Sequence, residues 1–383
     1  MKNTIFCIGL VAIMALSLVS CKNDLDVLAP GKESVSVYGI LNPNEGVQNI
    51  RINKVYLTGG DALVDAQDAN TINYGAGELT VTLQRFMTGS STPVVTTMGN
   101  TKKEIVLTET VVTTQGGTFN TNQRIWQTTD KLYSTGEYKL TVKNNATGAE
   151  FTSQNIVVDS VKTTNSMPFI YYYHPNPDLA YPMHGNYVTV GVPGTITNKR
   201  AYVDYSTTTL NQKIKFYSVA NARLYSVVMR FHYIDSLVGG GINYDYADYS
   251  FPTIQSSTLN GAEPLEVSFL ANDFYVNAAQ IISKKTVSNL KNRRAFYLEY
   301  IIYAGAESLS EFLQVNAPST TIAQDKPYYT NITGGVGIFS SRSRSVISKD
   351  LWNDFIDKIA CHPSTYPLLF CNSSGITVPT PCN

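Results

Sequence analysis

Few residues of this sequence have the types and spacing that enzyme chemistry requires. The chain has four histidines, His174, His184, His232 and His362, and histidine is the residue most often used in general acid–base catalysis. The HExxH zinc-protease motif, the GxSxG nucleophile motif and the GxxxxGK(S/T) phosphate loop are all missing from the sequence. We therefore predict no catalytic residue, no cofactor and no enzymatic activity. We interpret His174 and His184 as solvated loop residues and His232 as a strand-face residue.

An acidic cluster resembles a calcium loop only in part. Asp61, Asp65 and Asp68 lie close together, but Gln67 and Ala69 interrupt the alternating oxygen ligands that such a loop requires. We predict no EF-hand and no metal centre here, while a looser calcium site is left open.

The segment from Gly335 to Ser340 begins like a dinucleotide-binding GxGxxG motif. Ser340 replaces the third glycine, and the surrounding sequence is β-rich with no helix directly after the segment. We interpret Gly335 and Gly337 as residues that let two backbones approach each other closely.

Tyrosine clusters are the strongest indication of binding. Tyrosine combines a rigid apolar ring with a hydroxyl, which suits the recognition of sugars, peptides or protein partners. The alternative is that these residues are simply favoured in strands. The candidates in the two clusters are Tyr171, Tyr172, Tyr173 and Tyr181, and Tyr244, Tyr246 and Tyr249.

The N-terminus has the order of a bacterial export signal. Lys2 precedes an apolar stretch over residues 5–20, and Cys21 follows the small residue Ser20. This pattern is a lipobox, so we predict that a signal peptide (1–20) is removed and Cys21 is acylated. The apolar stretch is shorter than the roughly 20 residues of a spanning helix, which predicts an anchored protein that does not cross the membrane.

Three cysteines, Cys361, Cys371 and Cys382, lie close to the C-terminus. Export permits disulfides, and three thiols give one bridge and one thiol left over. A bridge of Cys371 to either of the other two would close a short tail, and the sequence leaves the pairing open. His362 beside Cys361 is the only hint of a metal there, and we favour the disulfide.

Composition and charge narrow the function classes further. The chain has 29 basic and 29 acidic residues, and 15% of its residues are charged, against about 25% in ordinary globular domains. No basic surplus is present to hold a phosphate backbone, so nucleic-acid binding is not expected. The abundance of Thr, Tyr and Val favours a mainly β fold.

Short alternating segments separated by turns predict an Ig-like antiparallel sandwich followed by a second β-rich domain with two or three short helices. Leu79, Val81 and Leu83 form the clearest half-buried strand, whereas Leu224–Asp235 is predicted to be covered on both faces. The predicted order is a signal peptide (1–20), a lipidated tether (21–32), an Ig-like sandwich (33–160), a connection (161–186), a second β-rich domain (187–345) and a C-terminal helix with a cysteine-containing tail (346–383).

Three segments have helical patterns. Ala271–Ser283 is predicted to begin at an N-cap formed by Asn272 or Asp273, and Leu309–Val315 at a capping box that Ser308 opens. The third helix follows Ser348, is amphipathic and is expected to dock onto the second domain.

The chain resembles bacterial surface lipoproteins in several motifs. Gly136–Val142 resembles the penultimate strand of Ig-like surface modules, in which a tyrosine commonly packs at a sandwich corner. Together with the lipobox, the acidic tether and the segment Asn331–Phe339, it resembles an uncharacterised family of Bacteroidota lipoproteins often encoded near TonB-dependent receptors. The resemblance implies an outer-membrane, outward-facing protein and supplies no catalytic residues.

These observations predict a lipid-anchored binding or accessory protein, with a TonB-dependent transporter as the expected partner. A structural or adhesive, fimbria-like subunit is the alternative; it would be cleaved after an arginine such as Arg51, which nevertheless lies within an alternating strand. A glycan or peptide hydrolase is a further alternative, and it would need a suitably spaced carboxylate pair.

Overall fold

The structure is a computed structural model that describes residues 33–55, 64, 66–113, 122–161, 171–172, 188–189, 199–200, 202–317 and 328–382. The predicted signal peptide, tether and Cys21 lie outside these residues. Among the described residues, no helix has the length and apolar character needed to cross a membrane.

Nine strands and one short helix are formed by the described residues between 33 and 161. They are β1 (Val35–Leu41), β2 (Gln48–Lys54), α1 (Ala69–Ile72), β3 (Leu79–Phe86), β4 (Pro93–Val94), β5 (Glu104–Val106), β6 (Thr108–Thr113), β7 (Asn122–Thr128), β8 (Glu137–Asn144) and β9 (Glu150–Ile156).

Eleven strands and three α-helices are described in the rest of the chain. The strands are β10 (Tyr171–Tyr172), β11 (Val188–Thr189), β12 (Lys199–Arg200), β13 (Tyr202–Val203), β14 (Asn211–Tyr217), β15 (Ala222–Leu237), β16 (Ile242–Ser250), β17 (Ile254–Gln255), β18 (Pro264–Leu270), β19 (Leu290–Ala306) and β20 (Val336–Leu351). The helices are α2 (Ala271–Ile282), α3 (Glu307–Asn316) and α4 (Asn353–Cys361), and a 3-10 turn spans Tyr366–Leu368.

The predicted fold class is confirmed: the protein is mainly β, and a sandwich precedes a second β-rich region with helices. One sheet of the sandwich contains β1, β2, β7 and β6, and the other contains β4, β3, β8 and β9 with β5 beside β3. Buried and partly buried residues alternate along β1, β3 and β8, because successive side chains of a strand point to opposite faces. Trp126 and Phe339 are among the core residues between the sheets.

A single strand from the end of the chain joins both β-regions. The first part of β20 pairs in parallel with β1, from Ser36 opposite Val336 to Leu41 opposite Ser341. The remainder pairs antiparallel with β19, from Arg342 to Asp350. The sandwich predicted over residues 33–160 is therefore extended by a strand about 300 residues further along the chain.

The glycines that precede and enter β20 allow this pairing. Gly337 has a φ of +106°, and a Cβ placed on it would lie 2.1 Å from the carbonyl oxygen of Val37. A Cβ on Gly335 would lie 2.7 Å from the carbonyl oxygen of Val35. These distances are too short for any side chain, so the predicted close approach of two backbones is confirmed.

Asn331 fixes the chain just before this strand. Its side-chain amide donates to the carbonyl of Phe339 at 2.7 Å, and its side-chain oxygen accepts from the Phe339 N–H at 2.9 Å. Phe339 itself is fully buried in the sandwich core. The Asn331–Phe339 segment that carries the family resemblance therefore has a structural role: it inserts β20 into the sandwich.

Serine hydroxyls on β20 hold the chain that leaves the sandwich. The Ser341 hydroxyl donates to the Ile156 carbonyl at 2.8 Å and accepts from the Val158 N–H at 3.1 Å. The Ser343 hydroxyl donates to the Asp159 carbonyl at 2.8 Å. The segment after β9 leaves its sheet, so its backbone groups lose their strand partners. The serine hydroxyls replace those hydrogen-bond partners, which buried backbone groups require.

In the second region, one sheet face is covered by helices. The strands of this region follow the order β16-β15-β19-β20, with β13 beside β20, and the sheet continues from β20 to β1 of the sandwich. Phe274 and Tyr275 of α2 and Phe355 and Ile359 of α4 belong to the core that also contains the inward-facing side chains of β15 and β19.

The opposite face of β15 is only partly buried. Buried and intermediate residues alternate from Tyr225 to Tyr233, so the prediction that Leu224–Asp235 is covered on both faces was wrong. Its outward residues include Arg230 and His232, whose polar groups pair with side chains of neighbouring strands. Apolar and aromatic residues occupy both alternating sets of positions along this strand. That pattern is the same whether the outward residues contact side chains of neighbouring strands or are buried under another layer.

The helices occur where predicted, but their starts differ. The N-cap of α2 is Leu270; Asp273 lies in the first turn and accepts a hydrogen bond from the Leu270 N–H at 3.1 Å. The helix α3 begins at Glu307 with Ala306 as N-cap. The Ser308 hydroxyl does not cap α3 and instead donates to the Asn155 side-chain oxygen at 2.8 Å.

The last helix confirms the predicted docking. The helix α4 buries Phe355, Ile359 and Ala360 in the core shared with β15 and β19. It starts later than the Ser348 signal indicates, because β20 continues to Leu351 before the helix begins at Asn353.

Tyr138 occupies the corner position that the resemblance implies. Its side chain is fully buried at the start of β8. The hydroxyl donates to the Thr96 carbonyl at 2.8 Å and accepts from the Tyr133 N–H at 3.0 Å. Burial raises the pKa of this hydroxyl to about 12, so it remains a donor at neutral pH. This is the geometry of a tyrosine corner.

Replacing Tyr138 with phenylalanine should lower the free energy of unfolding by about 1–3 kcal/mol, because two buried backbone groups lose their partner. Equilibrium urea unfolding measures this loss. Tyr366→Phe is the matched control, since the Tyr366 hydroxyl donates to the Pro379 carbonyl at the exposed surface and water can replace it. Equal losses in the two variants would contradict the role of the corner.

Candidate functional site

The uncovered face of the second sheet carries a cluster of aromatic rings. We call the residues His232, Tyr244, Tyr246, Phe296 and Tyr297 the aromatic face. Tyr244, Phe296 and Tyr246 are 68%, 46% and 42% exposed, whereas monomeric proteins mostly bury such large rings. The face is therefore the first candidate for a binding surface.

Strand register brings these rings together. Along the hairpin of β15 and β16, His232 lies opposite Tyr246 and Ile234 opposite Tyr244. Between β15 and β19, His232 lies opposite Tyr297, but the next residue, Tyr233, lies opposite Ala295. This register shift is a β-bulge that leaves Phe296 as the extra residue, and bulges commonly reorient a side chain.

The rings are held by specific contacts. His232 stacks on Tyr297 with 4.1 Å between ring centroids and an interplanar angle of 11°. The Arg230 guanidinium lies 3.9 Å from the centroid of the Tyr246 ring, within the range of a cation–π interaction. The ring centroids of Tyr244 and Phe296 are 6.1 Å apart. The arrangement therefore presents rings that are largely fixed before any ligand binds.

An ion pair and a histidine–carboxylate contact lie among the rings. Arg230 donates two hydrogen bonds to Asp248, at 2.7 and 2.8 Å, and these bonds raise the pKa of Arg230 further above its usual value. Nε2 of His232 lies 3.1 Å from a carboxylate oxygen of Glu299. The carboxylates of Asp248 and Glu299 thus each lie beside a basic residue on this side of the sheet.

The outer edge of the sheet is blocked at its centre. At Tyr246 of the edge strand β16, the N–H donates to Asp245 at 2.8 Å, and the carbonyl accepts from Lys285 at 2.5 Å. Burial alone would raise the pKa of Asp245, but bonds from Lys285, the Tyr246 N–H and the Tyr233 hydroxyl lower it overall. An ionised Asp245 and its lysine partner thereby occupy backbone groups that another strand would need.

The structure divides the predicted tyrosine clusters. Tyr244 and Tyr246 lie on the aromatic face, but Tyr249 points to the opposite side and packs on Phe251 with 4.6 Å between ring centroids. Burial raises the pKa of Tyr249. Its inclusion as a contact residue is therefore not supported by its position.

The first tyrosine cluster lies mostly beyond the described residues. Tyr173 and Tyr181 are outside them, as are His174 and His184. The backbone of Tyr171 and Tyr172 forms β10, which pairs with β14. That cluster stays a prediction.

The sequence did not identify Arg230, Phe296 and Tyr297 as site residues, and it placed His232 only on a strand face. The signal that could have found them is the alternation of polar and aromatic residues on the strands β15 and β19. The bulge at Phe296 breaks that alternation, so the pattern alone does not reveal the shared face.

The C-terminal disulfide joins Cys361 to Cys382, and Cys371 is a buried free thiol. Neither pairing that involved Cys371 is formed. Burial raises the pKa of the Cys371 thiol. The Cys382 N–H donates to the Cys361 carbonyl at 2.8 Å, so the two ends of the tail lie side by side. The spacing of the cysteines in the sequence does not indicate this arrangement.

His362 serves the packing of this tail. Its ring stacks on Tyr275 with 4.3 Å between centroids. Nδ1 accepts from the Ser364 N–H at 3.2 Å, so Nε2 is the nitrogen that donates to the Asn272 side-chain oxygen, 3.1 Å away. Both ring nitrogens are engaged, and the neighbouring Cys361 sulfur is in the disulfide. In the part of the chain that the structure describes, no cluster of three or more His, Cys, Asp or Glu residues could hold a metal ion.

Burial, with a smaller effect of Lys358, lowers the pKa of His362 below its usual 6.5. The unfolded chain therefore binds this proton at a higher pH than the folded chain does, so the stability contributed by neutral His362 is complete above about pH 6.5 and is lost as the pH falls. We expect His362→Phe, which keeps a ring on Tyr275, to show a shallower loss of unfolding free energy from about pH 7 to about pH 5 than the parent. Urea unfolding at each pH tests this, and equal slopes would contradict it.

Two other candidate positions, Arg51 and Asp68, have structural roles. Arg51 lies in β2, which is paired with β1 on one side and β7 on the other, so its predicted position within a strand is confirmed. Asp68 caps α1 by accepting from the Asn70 N–H at 2.9 Å. Asp61 and Asp65 lie outside the described residues.

A small apolar cleft lies beneath the sheet, between β15, β16 and α2. Phe231, Ala247 and Phe274 are among the residues that line it. The cleft has room for about one water molecule, far less than the 300–1,000 Å³ typical of small-molecule sites, so the aromatic face is the better candidate.

No protein-family model matches the chain, and no curated protein is detectably similar to it.

Proposed function

We propose that the protein is a lipid-anchored outer-membrane binding protein that faces the exterior and acts as an accessory subunit of a TonB-dependent transporter. The observation that carries the proposal is the exposure of Tyr244, Tyr246 and Phe296 on one uncovered sheet face. Aromatic rings of this kind dominate the energy of binding surfaces. Acylated Cys21 supplies the anchor.

The way the face is built supports binding over a purely structural role. Arg230 and His232 hold the rings through side-chain contacts, and a preorganised surface loses less conformational entropy when it binds. The helices α2 and α4 cover the other face, so the second sheet presents one side to its surroundings.

The alternative of a fimbria-like subunit has less support. Cleavage after Arg51 would need β2 to leave its two neighbouring strands. Strand addition at β16 would have to displace the Lys285 and Asp245 contacts at Tyr246. Both steps cost hydrogen bonds that the folded protein already has.

The experiment is affinity purification of the tagged full chain from its native membrane in mild detergent. We expect a large outer-membrane barrel protein to co-purify, and Cys21→Ser to abolish both labelling with a fatty acid and membrane retention. Recovery of the parent protein only as a free monomer would count against an accessory role. An unlabelled but membrane-bound parent would overturn the anchor.

A variant pair links the partner to the site. Tyr244→Ala should reduce recovery of the barrel protein, whereas Tyr328→Ala removes an equally exposed ring outside the aromatic face and should leave recovery unchanged. Equal recovery with both variants would place the partner contact elsewhere.

A further inference from the structure

We propose that the ligand of the aromatic face is a neutral oligosaccharide chain. This inference rests on the proposed binding function and specifies its ligand class. A sugar ring has a face of C–H groups and a rim of hydroxyls, so its recognition needs exposed aromatic faces beside hydrogen-bonding groups. The aromatic face supplies both within one sheet surface.

The exposed rings form the apolar part of the site. Tyr244 and Phe296 are neighbours with 6.1 Å between centroids, and Tyr246 lies two residues along the same strand face. Side chains two positions apart on a strand are about 7 Å apart, so the rings form a row that one chain of linked sugars could follow.

The charges of the face favour an uncharged ligand. Arg230 already donates twice to Asp248, and His232 lies beside Glu299. Asp248 already balances the charge of Arg230, so an acidic ligand gains little from it, and a cationic ligand would find the carboxylates of Asp248 and Glu299 already beside Arg230 and His232. Sugar hydroxyls, in contrast, can share oxygens that are already ion-paired, because each carboxylate has about four lone-pair sites.

The edge of the sheet disfavours an extended peptide as the occupant. Peptides commonly bind sheets by adding a strand at an open edge. At Tyr246, the centre of the edge strand β16, Asp245 and Lys285 already occupy the backbone N–H and carbonyl. A ligand is therefore expected to lie across the sheet face and not along its edge.

The test is affinity electrophoresis of the detergent-purified full chain through gels that contain soluble neutral β-glucan, galactomannan or dextran, with alginate and heparin as acidic probes. We expect at least one neutral polysaccharide to retard the protein and the acidic probes to leave it unretarded. Tyr244→Ala and Phe296→Ala should each weaken this binding about tenfold, as loss of a central aromatic contact does.

Tyr328→Ala is the control, because it removes an exposed ring outside the aromatic face and should leave the retardation unchanged. Circular dichroism of each variant checks folding. Retardation by acidic probes alone, or by neutral chains equally in all variants, would overturn the inference. If no polysaccharide binds while Tyr244→Ala abolishes co-purification of a membrane protein, the glycan assignment fails and the proposed accessory function stands; if both are absent, the proposed function fails too.

Discussion

Replacing Gly337 with alanine is expected to lower the free energy of unfolding by about 2–6 kcal/mol, which combines backbone strain with forced separation of two packed strands. Gly337 has a φ of +106°, and a Cβ would lie 2.1 Å from the Val37 carbonyl oxygen and 3.0 Å from the Val37 carbonyl carbon. These atoms belong to the neighbouring backbone, so no side chain can move aside to relieve the contact. Equilibrium chemical unfolding measures the effect.

Gly240→Ala separates the two causes. Gly240 has a similar φ of +97°, but nothing lies within 4 Å of the position that its Cβ would take. This control should show only the strain of the left-handed backbone, about 1–3 kcal/mol. Equal losses for Gly240→Ala and Gly337→Ala would contradict the importance of the close approach between β1 and β20.

The same substitution has a consequence for cooperativity. Since β20 pairs with β1 in the sandwich and with β19 in the second sheet, weakening its first half loosens the strand that the two regions share. We expect unfolding of the parent to be a single transition, and the Gly337 variant to unfold in two steps when tryptophan and far-ultraviolet signals are compared. With Trp352, the N-cap of α4, replaced by phenylalanine in both proteins, Trp126 is the single tryptophan and reports on the sandwich core.

The local alternation of apolar and polar residues was sufficient to predict strands that have one clearly buried face. Leu79, Val81 and Leu83, predicted to share a buried face, are all buried in β3. The predicted tyrosine corner is found as well, because a buried tyrosine near the start of a strand must find partners for its hydroxyl. In both cases the information lies within a few residues of the chain.

Pairing between strands that are far apart in the sequence could not be predicted from local patterns. The glycines near Gly337 indicated a close backbone approach, but not that the neighbour would be Val37 of the first strand. Nothing in the local pattern of β1 identifies a parallel partner about 300 residues away. The disulfide between Cys361 and Cys382 likewise depends on how the tail folds back.

The candidate site was predicted in part for the same reason. The exposed tyrosines Tyr244 and Tyr246 stood out by residue type, whereas their neighbours Arg230 and Phe296 lie on other strands and join them through register and a bulge. The inward orientation of Tyr249 follows from strand alternation. The three glycines at positions 239–241 are typical of a turn, and this signal obscures the strand β16 that follows them.

The buried ion pair of Arg293 and Asp235 provides the second large expected effect. Their side chains are only 5% and 2% exposed, and Arg293 Nε lies 2.7 Å from Asp235 Oδ1. Arg293 also donates to the Leu368 carbonyl at 3.0 Å. We expect Arg293→Met to lower the free energy of unfolding by about 3–5 kcal/mol, because it leaves the Asp235 carboxylate buried without its cation. Equilibrium unfolding in guanidinium chloride measures this loss.

Two further variants decide whether the loss comes from the stranded charge. Lys213→Met removes one partner of an exposed pair with Glu266 and should cost no more than about 1 kcal/mol. The double variant Arg293→Met with Asp235→Leu removes both buried charges and should recover most of the stability, since apolar replacement of a buried pair is often neutral or stabilising. If the double variant is as unstable as Arg293→Met, the loss comes instead from the tail. The backbone of Arg293 binds that tail: its N–H donates to the Leu369 carbonyl, and its carbonyl accepts from the Cys371 N–H. Detachment of the tail would therefore appear as exposure of the Cys371 thiol to a thiol reagent.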